Sequence, residues 1–139
     1  MFILTGKVYQ ENKDWLIECP AIDAHTFGHS KNEALELMID CVRCLIDEPN
    51  FELEISENDG IFEMEVKNYK PIIRLMLERA KAKTDLTFDD IANNLGLSSR
   101  SSVAKTMKIK HDIQLSKLVE VLESIGFDLE VSIKPKRTA

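Results

Sequence analysis

A chain of 139 residues suits one ordinary domain or two small ones, each with a thin core. Its 18 basic against 24 acidic side chains, a net of -6, argue against general coating of nucleic acid. No apolar run approaches the ~20 residues that cross a bilayer, and no basic-then-apolar leader stands at the front, so the sequence reads as cytoplasmic, without a membrane partner.

The net charge hides a division. Residues 1–69 carry 5 Lys and Arg against 15 Asp and Glu, a net of 10 negative, whereas residues 70–139 carry 13 against 9, a net of 4 positive. Such asymmetry predicts two surfaces with different partners, the front favouring something basic and the back something acidic. Three cysteines, Cys19, Cys41 and Cys44, form an odd set that suits reduced thiols. Cys41 and Cys44 make a C-x-x-C, but no second Cys or His pair completes a zinc site around it.

In chain order, residues 2–9 and 15–19 are β-rich runs joined by the polar stretch 10–14, which predicts a hairpin. Pro20 interrupts it, and residues 25–28 form a third, short strand. Ser30 and Glu33 have the form of a capping box, in which the Ser30 hydroxyl accepts from the Glu33 amide and the glutamate reaches back. Leu35, Met38, Ile39, Val42, Leu45 and Ile46 then recur at three and four, predicting a helix that lays one face on the sheet and stops before Pro49. Phe51, Leu53 and Ile55, then Phe62, Met64 and Val66, alternate with polar residues, so two more strands with one wet face follow, turned by Asn58-Asp59-Gly60. Glu52, Glu54, Glu63 and Glu65 on that face are candidates to meet a basic protein.

Residues 67–71 are the expected boundary, dividing an α+β unit at 1–69 from a helical unit at 70–139. Pro71 opens a helix reaching about residue 83. Thr87 can cap the next, where Phe88, Ile91, Ala92 and Leu95 give an apolar side and Gly96 a stop. Leu97 turns inward, Ser98 or Ser99 caps a second short helix, and Val103 and Met107 form its buried edge. Small Ala92 four before the corner glycine allows the close crossing that a helix-turn-helix requires, although from Gly96 to Val103 there is one residue more than in the commonest spacing of that motif. From 98 to 110 the only ionisable side chains are Arg100, Lys105, Lys108 and Lys110, all basic and suited to phosphate. Ser99, Arg100, Ser101, Ser102, Lys105 and Thr106 are expected to face the major groove of duplex DNA or its phosphates, with Arg100 as the base reader because its planar fork takes two acceptors of guanine. Lys105, Lys108 and Lys110 position the protein on phosphate. A last helix, with Leu115, Leu118, Val119, Leu122 and Ile125 inward, precedes a strand around Leu129, Val131 and Ile133, expected to pair with its twin in a homodimer or higher oligomer.

The order strand, strand, Pro20, short strand, then Gly28, Ser30, Glu33 and Ala34 opening a helix, resembles the amino-terminal domain of HicB-type antitoxins, which share a Gly-x-[Ser/Thr]-x-x-Glu-Ala step there. Many members carry a helix-turn-helix behind it. Ala21-Ile22-Asp23-Ala24 departs from the family's usual Leu-Pro-Gly stretch. The resemblance implies a front domain similar to a reduced ribonuclease-H-like sheet that no longer cuts and that covers a small, basic, RNA-cleaving toxin (HicA-like). It also implies a back domain that binds operator DNA and represses its own operon. Neither enzyme activity nor a cofactor or metal is expected. A stand-alone regulator whose front domain senses a ligand or protein is the alternative. A metal-dependent nuclease using Asp14, Glu18 and Asp23 is the reading from another class.

Overall fold

The computed structural model describes residues 2–96, 100–107 and 114–131. Those residues form a mixed α+β structure with one five-stranded antiparallel sheet and five α-helices. The strands are β1 (Phe2–Glu11), β2 (Asp14–Cys19), β3 (Ala24–Gly28), β4 (Leu53–Asn58) and β5 (Ile61–Val66), in spatial order β3-β2-β1-β5-β4. β1 is central because it pairs on both sides, Val8 with Ile17 on β2 and Leu4 with Met64 on β5. The first hairpin and the Asp59-Gly60 turn fall where the sequence puts them. Asp59 and Gly60 both have positive φ, 53° and 83°, matching the sharp reversal of a two-residue hairpin.

Alternation decides which face is dry. Leu4, Val8, Ile17, Cys19, Phe62, Met64 and Val66 point inward against α1 (Lys31–Ile46), whose Ala34, Met38, Val42 and Ile46 complete the first core. Ser30 caps α1, its hydroxyl accepting from the Glu33 amide at 3.1 Å, while the Glu33 carboxylate accepts from the His29 amide at 2.9 Å. Gly28 is the close-approach residue of this step: a Cβ there would stand 2.8 Å from the Ala34 backbone nitrogen. The spacing of Gly28, Ser30, Glu33 and Ala34 thus has a local physical cause. A cap joins strand to helix, and two small residues let the backbones meet.

Where the sequence has only a break at Pro20, the chain makes a short 3-10 turn, Pro20–Ile22, closed by Asp23 in the left-handed conformation (φ 50°). That turn docks on α2 (Lys70–Ala82). Arg79 Nε donates to the Ile22 carbonyl at 3.2 Å and its Nη2 to the Asp23 carbonyl at 2.8 Å, while Lys83 Nζ lies 3.1 Å from the Asp23 carboxylate. α2 also supplies both cores, Ile72 and Leu75 to the first, Ile73 and Leu77 to the second.

The second core gathers α3 (Phe88–Leu95), α4 (Arg100–Met107) and α5 (Leu115–Ser124) around Ile91, Val103, Leu118, Val121 and Ile125. Thr87 caps α3 in a full capping box with Asp90, and Gly96 ends it at φ 70°. The buried face of α5 differs from the expected one. Val121 is buried, Val119 half-buried, and Leu115 is 61% exposed at the helix's first position, one turn beyond the packed stripe. Residues 127–131 have no regular secondary structure, and Ile133, with the rest of the expected final strand, lies outside the described residues. Among the described residues no helix is long and apolar enough to cross a membrane.

Candidate functional site: two faces of opposite charge

The outer sheet face is fixed by the same alternation that builds the core. Residues paired across the strands share it: Glu54 lies opposite Glu65, which lies opposite Ile3, and Glu63 lies between Ser56 and Thr5. Three of the four candidate glutamates, Glu54, Glu63 and Glu65, therefore stand together. Glu52 lies before β4 begins, with its carboxylate 3.4 Å from Lys67 Nζ in an exposed pair. Like charges directly opposite, as at Glu54 and Glu65, destabilise a sheet slightly. Such an arrangement gains by meeting a cation.

Sequence reasoning missed the other half of this face. Tyr9 lies opposite Leu16, and Leu16 opposite Phe27, so three large apolar side chains run across β1, β2 and β3 on the wet side. Tyr9 is 41% and Phe27 57% exposed. Beside them Lys7 lies opposite Glu18, and Glu18 opposite His25. The signal was present in the alternation of β1, where Leu4 and Val8 claim the inner face and leave Tyr9 outside.

The acids weighed for metal chemistry lie apart in their interactions. Asp14 is 3.6 Å from His29 at the sheet edge, Asp23 is engaged by Arg79 and Lys83, and Glu18 is on the outer face. Among the described residues no group of three or more His, Cys, Asp or Glu could hold a metal ion. Cys41 is half-buried and Cys44 exposed, both on α1, and Cys19 is buried with its thiol pushed up to about 11 by desolvation.

On the second core, α3 and α4 pack as two short helices on either side of Gly96. Val103 and Met107 are buried, as their spacing requires, and Lys105 is exposed. Ser102 is half-buried, less open than expected. Arg100, Ser101 and Thr106 belong to the backbone of α4, while Ser99, Lys108 and Lys110, with the corner residues Leu97 and Ser98, lie outside the described residues. α3 places Asp89 and Asp90 in its first turn, where the helix dipole favours them. The Thr87 backbone amide, donating at 2.9 Å, holds the Asp90 carboxyl below its ordinary value of 3.8.

No protein-family model and no curated protein matches the chain.

Proposed function

We propose that the chain is a HicB-type antitoxin and autorepressor that acts by binding and not by catalysis. In this reading the outer sheet face binds and neutralises a small, basic, RNA-cleaving toxin in the cytoplasm. The pair α3–α4 acts as a helix-turn-helix on operator DNA, and the protein works as a homodimer or higher oligomer. The reading is carried by one observation: a single chain presents Glu54, Glu63 and Glu65 together on the wet face of its sheet. On its second core it presents a helix without any acidic residue, Val103 and Met107 inward and Lys105 outward. Opposite surface charges steer a cationic protein and a polyanion to different places on one molecule. The strand-to-helix step at Gly28–Ala34 adds support, because its capping and close packing account for the motif that carries the resemblance.

The test is co-expression of the chain with the product of its neighbouring reading frame, followed by the mass of the purified species and a gel shift on the shared promoter. The expected result is a stable complex with a basic protein of under about a hundred residues, since charge steering requires a partner of opposite sign, and salt-sensitive binding to that promoter. A chain that purifies alone from such a co-expression, whatever its DNA binding, contradicts the antitoxin role.

A further inference from the structure

We infer that the outer sheet face holds an arginine- or lysine-binding recess, formed by Tyr9, Leu16 and Phe27 with the Glu18 carboxylate, which takes a cationic side chain of a basic protein partner. The inference rests on the proposed antitoxin reading for the partner's identity, and deepens it by naming the anchor. An open recess of about 410 Å³ lies there, lined by Tyr9, Leu16, Glu18, His25 and Phe27 among others. Two of its walls are aromatic rings exposed to water, and exposed aromatics clustered on a regular sheet face mark an interaction surface.

Charge selects the occupant. The outer face carries Glu11, Asp14, Glu18, Glu54, Glu63 and Glu65 against Lys7. Sheet to sheet, a second copy would bring the same negative face, and a nucleic acid would bring phosphates, so both are repelled; a cationic protein is attracted. No ion pair joins Glu18 to Lys7 or to any other described residue. A guanidinium or ammonium entering between the rings and the carboxylate gains both a cation–π contact and a charge-assisted hydrogen bond. The chain already uses the first of these, with Lys81 Nζ 4.6 Å from the Phe88 ring centre and Lys31 Nζ 5.3 Å from that of Trp15.

The experiment has two arms on the full-length chain. In the first, isotope-labelled protein is titrated with N-acetyl-arginine-methylamide and, separately, with its uncharged citrulline counterpart, following the Tyr9, Glu18 and Phe27 signals by NMR. The arginine probe is expected to shift these signals saturably and the citrulline probe to leave them still. Phe27→Ala, which removes an exposed ring, should raise the probe's dissociation constant about two- to fivefold, the span that an exposed cation–π contact supplies. In the second arm, binding of the basic protein from the neighbouring frame is measured for wild type, Phe27→Ala, Tyr9→Ala and Glu18→Gln, with Thr5→Ala as a same-face control. Each of the first three should lose at least about tenfold, as anchor truncations do, and the control less than twofold.

Equal response to both probes, or none, overturns the recess whether or not the protein partner binds. A partner that binds all three variants like wild type overturns the anchor role and leaves the antitoxin reading standing. A recess that takes the arginine probe in a chain that binds no basic protein supports the cation site and sinks the antitoxin reading together with the anchor role that rests on it.

Discussion

Arg79 ties α2, the helix that supplies both cores, to the 3-10 turn, so its removal gives a quantitative test of the packing. Its guanidinium donates to the Ile22 and Asp23 carbonyls at 3.2 and 2.8 Å and lies 3.8 Å from the Asp23 carboxylate. Hydrogen bonds from a charged donor contribute ~1.5–3 kcal/mol when buried. With the side chain 36% exposed, the low end applies, and truncation also lets water reach the freed carbonyls. The ion pair, between groups both over a third exposed, adds less than ~1 kcal/mol. Arg79→Ala should therefore cost about 2 kcal/mol. For a chain of 139 residues, with an unfolding entropy of ~2.1 cal/mol/K per residue, that lowers the melting temperature by about 7 °C. Urea and thermal unfolding followed by Trp15 fluorescence, which reports on the sheet, and by helical circular dichroism would measure it. Arg79→Lys should recover less than half, because an ammonium cannot span both carbonyls. A loss below ~0.5 kcal/mol, the usual scatter for surface substitutions, would show that the fork does not hold α2 to the 3-10 turn. Full recovery by lysine would show that charge, and not geometry, makes the tie.

Four further outcomes are expected. Gly28→Ala should destabilise the first core, because the Ala34 backbone must retreat from the new methyl; overpacking of this kind costs ~1–3 kcal/mol, and an unchanged denaturation midpoint would remove the close-approach argument. In short alkylation at pH 8 read by peptide mass spectrometry, exposed Cys44 should react first. Buried Cys19, whose pKa is pushed up to about 11, should react last, and equal rates would contradict its burial. Asp90 should titrate below 3.8 in the folded protein, so its contribution to stability is complete above that pH and fades as pH falls through the lower folded value. Thr87→Ala removes the side-chain half of the cap, and carboxyl NMR should then show the Asp90 value move upward. Lys105→Gln should weaken binding to all DNA sequences alike and reduce the salt slope by ~1, whereas Arg100→Ala should cost ~1–3 kcal/mol at one base position. An unchanged slope, or a loss spread over all positions for Arg100, would reverse those roles.

What could be read from sequence follows the range of the interactions involved. The α1 cap, the Asp59-Gly60 turn and the Thr87 capping box depend on residues within four of each other, and their types specify them almost alone. The inward stripe of α4 was legible because Val103 and Met107 leave no competing apolar face. α5 was harder. Leu115, Val119, Val121 and Leu122 support two overlapping stripes, and only packing within the second core selects Val121 over Leu115. The fork of Arg79 spans more than fifty residues of chain, and nothing near Ile22 announces it. For the recess at Tyr9, Leu16 and Phe27, alternation in β1 sets Tyr9 outside, but only the register of two strand pairs brings it opposite Leu16 and Leu16 opposite Phe27.

On the proposed reading, the acidic sheet face and the basic helix serve separate partners. The most direct measurement of that separation compares two variants of the co-expressed complex, Glu54→Gln/Glu65→Gln and Lys105→Gln, for partner affinity and for promoter affinity at several salt concentrations. A crossed result is expected: the sheet variant loses partner affinity and keeps its promoter affinity, and the helix variant does the reverse. Parallel losses in both assays from either variant, or no loss from both, would contradict it.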